Sequence, residues 1–111
     1  MSFFNKNSIS HHEAYKRMEE GGKYILLDVR TPEEYNMERL KGAKLIPVDE
    51  LAARAPKDLP DKNATILVYC QSGIRAKSAV KLLIQMGYKD VNCFGGIANW
   101  PYEKIGGSSR W

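Results

Sequence analysis

The chain has 111 residues, of which 43% are hydrophobic and 27% charged, a composition and length that suit one globular domain burying roughly two-thirds of its unfolded surface and that exclude a disordered segment. Its formal net charge of +4 comes from scattered lysines and arginines; the densest group, Arg75, Lys77 and Lys81, has no interleaved aromatic residues, so no nucleic-acid partner is expected. Two cysteines make neither a disulfide framework nor a four-ligand zinc cluster, and no window approaches about 18 apolar residues, so neither a metal nor a membrane is expected and a reducing cytoplasm is the default compartment.

Ser10 precedes Glu13 by three residues, a capping-box spacing, and predicts a helix from His11 to Glu20 that ends at Gly21-Gly22. The nearly continuous apolar run Tyr24 to Val29 predicts a strand covered on both faces, as in a parallel sheet. Thr31-Pro32-Glu33-Glu34 repeats the helix-start grammar and predicts a short helix through Tyr35 or Met37. Lys41-Gly42-Ala43 leads into a short strand, Lys44 to Ile46, stopped by Pro47. Asp49 is expected to cap a helix from Glu50 to Ala55, followed by a Pro56 to Asn63 connection.

Thr65 to Tyr69 reads as the next strand, and it delivers Cys70. A loop, Gln71-Ser72-Gly73-Ile74-Arg75, then leads into a helix whose Ala76, Ala79, Val80 and Leu83 form an apolar stripe, with Gly87 placed as its C-terminal cap. Val91 to Phe94 is the last expected strand, and Gly95-Gly96 is expected to turn into Ile97 to Trp100 before Pro101. A mobile tail is expected at Gly106-Gly107-Ser108-Ser109. Strands alternate with helices, which predicts a single three-layer α/β domain over residues 1–111 with a small, mainly parallel sheet flanked by helices.

In such sheets ligands bind at the carboxyl ends of strands. Cys70 lies at one such end, between a strand and a helix N-terminus, where backbone N–H groups and the helix dipole favour the thiolate over the thiol. No histidine neighbours it in sequence, so a Cys-His pair of the protease type is not indicated. A loop of backbone donors suits an anion bonded to the sulfur, which narrows the chemistry to thiols attacking anionic groups. Gly73 permits the positive φ that a tight curl of N–H groups needs. Ser72 or Ser78 offers a hydroxyl donor, and Arg75 a fork that matches an oxyanion.

These residues, together with Leu27-Asp28-Val29-Arg30, Glu33-Glu34-Tyr35, Gly42-Ala43 with Ile46-Pro47, and Gly95-Gly96-Ile97 with Trp100, give a chain that resembles the rhodanese-like single-domain sulfurtransferases over nearly its whole length. The resemblance implies that Cys70 takes a sulfane sulfur from a small anionic donor such as thiosulfate, becomes a persulfide, and hands the sulfur to cyanide or a thiol, thiol-bearing proteins included. It implies that the amides from Gln71 through Ser72, Gly73 and Ile74 to Arg75 hold the outer sulfur, that Arg75 attracts the donor, and that no cofactor is needed.

Relatives of the same fold that act on phosphate or arsenate have a Cys-x5-Arg loop, one residue longer than the spacing from Cys70 to Arg75, so a phosphatase or arsenate reductase is the weaker alternative. A non-catalytic interaction module is the other, and the retained cysteine speaks against it. The turn Glu38-Arg39-Leu40-Lys41 departs from the family's usual Gly-His-Ile-Pro, and Gln71 stands where the family often has arginine. Asp28 and Arg30 read as structural, with an ion pair from Arg30 to Glu34 expected; Cys93 reads as a core residue, Trp100 as a packing anchor, and His11 and His12 as surface residues.

Overall fold

The computed structural model describes residues 7–106, so the tail expected at Gly106–Ser109 lies, apart from Gly106, outside the described residues. The first helix, α1 (His11–Glu19), begins as its capping spacing requires, with the Ser10 hydroxyl accepting the Glu13 N–H at 2.9 Å. Strand β1 (Ile25–Asp28) follows. Helix α2 (Pro32–Met37) starts with a complete capping box between Thr31 and Glu34 and with proline at its first position. Then come the two-residue β2 (Lys44–Leu45) and a 3-10 turn at Val48–Glu50.

The next helix differs from its expected form. It runs from Leu51 to Asp58 (α3), no side chain caps it, and Pro56 lies inside it. Asp49 instead belongs to the preceding 3-10 turn, which winds the chain into the helix and removes the need for a side-chain cap. A proline this near the end forfeits one backbone bond without ending the helix, which still closes through the Leu59 N–H on the Ala55 carbonyl at 2.7 Å.

Strand β3 (Thr65–Cys70), helix α4 (Ile74–Gln85) and strand β4 (Asp90–Gly96) complete the regular elements. β4 is longer than expected. The two glycines thought to form a turn continue the strand: Gly95, at φ +98°, lies at an irregularity in the ladder, and Gly96 pairs with Cys70 beyond it. A second 3-10 turn, Ile97–Asn99, follows.

The four strands are parallel, in the order β2-β1-β3-β4. Alternation along each strand divides the apolar side chains between two cores. Leu27, Ile66, Val68, Cys70, Val91 and Cys93 face α3 and α4, where they meet Leu51, Ala55, Ala76, Ala79, Val80 and Leu83. Leu26, Leu67, Tyr69 and Phe94 face the other way, toward Ala14 of α1, Leu40, Ile97 and Trp100. The wholly buried Leu27, Ile66, Leu67 and Leu83 contribute about 1.5–3 kcal/mol each. Asn7 and Ile9 bond across to Cys93 and cover the open edge of β4.

The chain leaves β1 toward β2 and returns on the opposite side as β3, so the strand order reverses between β1 and β3. Their carboxyl ends flank the crevice where parallel sheets take ligands. Asp28 ends one of them and Cys70 the other. Among the described residues no helix is long and apolar enough to cross a membrane.

Candidate active site

The pleat determines where the Cys70 sulfur points. As the last residue of β3, on the same face as Ile66 and Val68, Cys70 is directed toward the start of α4 and is only 1% exposed. The three residues after it turn sharply, and Gly73 takes φ +111° as the N-cap of α4, a backbone conformation costly to any residue with a Cβ. Glycine has no side chain with which to cap the helix. The Cys70 Sγ takes that place, accepting the Gly73 N–H at 3.0 Å and the Ala76 N–H at 3.3 Å. Two free donors of a helix's first turn thus converge on one sulfur, an arrangement that stabilises negative charge there.

Gly73 was legible as a donor in the sequence. Ala76 was not among the residues expected, although as the third residue of a helix starting at Ile74 it must carry an unpaired N–H. Ser72 and Ser78 are exposed, and among the described residues only backbone N–H groups bond to Sγ.

Arg75 points elsewhere than expected. Its two terminal nitrogens, Nη1 and Nη2, donate to Glu34 Oε1 and Oε2 at 2.7 and 2.9 Å, so its fork joins the loop to α2. Glu34 also accepts the Thr31 N–H at 2.9 Å. The Arg75 guanidinium, helped by Thr31 and opposed by partial burial, holds the Glu34 carboxyl down at about 2.

The expected pair of Arg30 with Glu34 therefore does not form. Arg30 pairs with Asp28, its own strand neighbour two residues back, through Nε at 3.0 Å and Nη2 at 2.8 Å, and both side chains are buried. The geometry follows from the pleat: residues i and i+2 share a face, and with Glu34 held by Arg75 the nearest carboxylate for Arg30 is that of Asp28. The rest of the Arg30 fork reaches outward, Nη2 to the Glu38 carbonyl at 2.6 Å and Nη1 to the Gln71 side-chain oxygen at 3.2 Å. Arg30 thus positions the residue that follows the cysteine. Tyr69 lies on the far side of the sheet from Cys70, its ring 5.6 Å from the Arg30 guanidinium carbon. Burial, reinforced by the Asp28 charge, pushes the Tyr69 hydroxyl well above its ordinary range.

A third support comes from β4. The Gln71 carbonyl accepts the Ala98 N–H at 3.1 Å, and Gly96 lies directly beneath it. A Cβ at Gly96 would collide with the Gln71 carbonyl and come within 2.7 Å of Ser72 Cα. Only glycine lets the loop rest on the strand there. Trp100 is buried near this junction, as expected. His11 departs from its expected surface role: it is partly buried, with its ring 5.4 Å from Trp100 and 6.4 Å from Phe94 in edge-on contacts. Helix α1 is amphipathic about Ala14, and His11, three residues before it, shares that face. His12 is exposed.

Cys93 is buried in the same core as Cys70, opposite Val68, and both cysteines are free.

The chain is similar to known proteins over most of its length. The model of the rhodanese-like domain matches residues 10–102. The chain is 40% identical over 81 residues to the thiosulfate sulfurtransferase PspE of Escherichia coli, covering 73% of this chain and 78% of that protein. It is 32% identical over 103 residues to the probable adenylyltransferase/sulfurtransferase MoeZ of Mycobacterium tuberculosis, covering 87% of this chain but only 25% of that longer protein. The solution structure of the rhodanese-like domain of the Anabaena protein Alr3790 superposes with a TM-score of 0.83 at 30% identity, covering 96% of this chain and 84% of that one. The chain belongs to the rhodanese-like domain family.

Proposed function

We propose that this chain is a sulfurtransferase that moves a sulfane sulfur from a small anionic donor to a thiophilic acceptor through a persulfide on Cys70. The observation that carries the reading is the cradle at Sγ: a sulfur at a strand end with the Gly73 and Ala76 N–H groups aimed at it and four residues between Cys70 and Arg75. Support comes also from PspE, whose name is that of a thiosulfate sulfurtransferase.

In the first half-reaction the Cys70 thiolate attacks the outer sulfur of thiosulfate. A new S–S bond forms to Sγ, the sulfur–sulfur bond of thiosulfate breaks, and its electron pair leaves on sulfite. In the second, cyanide or a thiolate attacks the outer sulfur, the Sγ–S bond breaks, and the pair returns to Cys70, regenerating the thiolate. Neither half needs an external oxidant, a metal or an organic cofactor. The backbone donors of the curl stabilise the charge that alternates between Sγ and the outer sulfur. The setting in this reading is a reducing cytoplasm, where both cysteines stay free.

Arg75 serves this chemistry chiefly through position, because its fork is engaged by Glu34, and its contact with a donor requires an exchange of partners. Gln71, Ser72, Gly73 and Ile74 form the wall that the donor meets. The four-residue spacing from Cys70 to Arg75 suits one sulfur atom on Sγ and argues against a tetrahedral phosphate, which goes with the longer loop.

The test is mass spectrometry of the protein incubated with thiosulfate. The expected result is a gain of one sulfur atom, lost on reduction and absent in Cys70→Ser. An adduct that persists in Cys70→Ser, or none with any sulfane donor, overturns the reading; so does substantial cysteine-dependent hydrolysis of an aryl phosphate.

A further inference from the structure

The two most exposed large apolar residues, Met37 at 79% and Ile74 at 74%, are tied to the two ends of one ion pair. Ile74 adjoins Arg75, and Met37 lies one helical turn beyond Glu34, on the same face of α2. Single exposed apolar side chains are common and mean little. Here one adjoins each partner of the clamp that joins the Cys70 loop to α2, and this exposed apolar surface is not explained by folding.

The patch continues down α4. Helical geometry aligns Ile74, Lys77, Lys81 and Ile84 on the outward face of that helix, and all four are exposed. Helix α4 has no carboxylate, and among the described residues neither lysine belongs to an ion pair. The charge order is also the reverse of what stabilises a helix: no acid occupies the first turn, no base the last, and Lys77 lies near the positive end of the dipole. These cations do not serve the helix they sit on.

From this arrangement we infer that Met37, Ile74 and the Lys77–Lys81–Ile84 stripe form the docking surface for a protein acceptor, an acidic protein whose accepting thiol is flanked by an apolar side chain. The inference rests on the sulfur-transfer reading and names the acceptor within it. The lysines supply charge complementarity, Ile74 and Met37 the apolar contact beside the sulfur, and the surface is continuous with the loop that holds Cys70. In the transfer the partner's thiolate attacks the outer sulfur of the Cys70 persulfide, the Sγ–S bond breaks, its electron pair returns to Cys70, and the partner leaves as the persulfide.

The test uses the full chain, loaded with sulfur from thiosulfate and desalted, and three acceptors: dithiothreitol, a cysteine peptide with a leucine beside the cysteine and flanking glutamates, and its twin with lysines in place of the glutamates. The glutamate peptide is expected to react about tenfold faster than the lysine twin at low ionic strength, with the ratio falling toward one at about 0.5 M salt. The double variant Lys77→Glu/Lys81→Glu should invert the preference, and Met37→Ser should slow the glutamate peptide several-fold; both should leave the dithiothreitol rate unchanged.

Equal rates for the two peptides, or a preference that survives the charge reversal, overturn the docking surface while dithiothreitol transfer leaves the sulfur-transfer reading standing. Failure of Cys70 to load, or of sulfur to reach even dithiothreitol, overturns the underlying reading and the surface with it.

Discussion

Cys70 and Cys93 are both buried, both free, and on the same face of neighbouring parallel strands. By burial and surroundings alone they are the same residue twice. They differ in what happens after them. Cys93 has three more strand residues to follow, and its backbone is engaged on the edge side by Asn7 and Ile9. Cys70 is the last residue of its strand, and the chain turns back so that two helix N–H groups meet its sulfur. The reactivity proposed for Cys70 is therefore ascribed to the strand end and the supports around it, not to the thiol.

The largest expected effect breaks the symmetry outright. Cys70→Ser should lower sulfur transfer by about 10³-fold or more, whereas Cys93→Ala should leave the rate within about twofold and lower stability by about 1 kcal/mol through the small cavity left behind; initial rates with thiosulfate and denaturant melts check both. A comparable loss of transfer in Cys93→Ala would show that the second thiol takes part in the relay.

Next come the supports of the curl. Arg30→Met strands the buried Asp28 carboxylate and should reduce stability by about 3–5 kcal/mol. Adding Asp28→Leu should recover much of that stability while transfer stays impaired, since Gln71 has still lost its partner; chemical denaturation paired with steady-state rates separates the two effects.

Gly96→Ala sharpens the comparison from the other side, because it alters neither cysteine. Its Cβ must displace the Gln71 carbonyl, and a loop moved by about 1 Å should lose on the order of 10²-fold in kcat/KM. Retention of full activity would mean that the position of this loop is not what distinguishes Cys70.

The smallest effect concerns acid. The Glu34 carboxyl falls from its ordinary 4.5 to about 2 in the fold, so the clamp to Arg75 contributes fully above about pH 5 and its contribution is lost as the pH falls toward 2. For a pair about one-third exposed this is worth about 1–2 kcal/mol after solvent screening. Glu34→Gln should lower stability at neutral pH by that amount and flatten its decline between pH 5 and 2, measured by melts across that range.

The fold was legible because its signals are local. Capping at Ser10 and Thr31, apolar runs at Leu26 and Leu67 and the stripe from Ala76 to Leu83 each specify an element without reference to distant residues, and their alternation gave the parallel sheet. Cys70, Gly73 and the short spacing to Arg75 were legible for the same reason.

What escaped depends on contacts between residues far apart in sequence. Nothing near Arg75 announces Glu34, 41 positions away, and a free fork and a clamped one are spelled alike. The choice of Arg30 between Asp28 and Glu34 was settled by the same clamp. Gly96 reads as an ordinary turn glycine until the Gln71 carbonyl is placed above it. His11 looked superficial because its aromatic partners come from the opposite end of the chain.

That the Gln71 carbonyl rests on Gly96 and takes its hydrogen bond from Ala98 bears on the order in which the protein is made. Synthesis runs from the N-terminus, and the ribosome adds about 5–20 residues per second, so Cys70 leaves it a second or more before the residues that seat its loop. A nascent chain carries the thiol before it carries the working site. The same holds for a product truncated ahead of β4: it would keep the cysteine, Arg30 and Glu34 and still lack the floor of the loop. On the sulfur-transfer reading, competence for the reaction thus doubles as a check that translation and folding have reached β4.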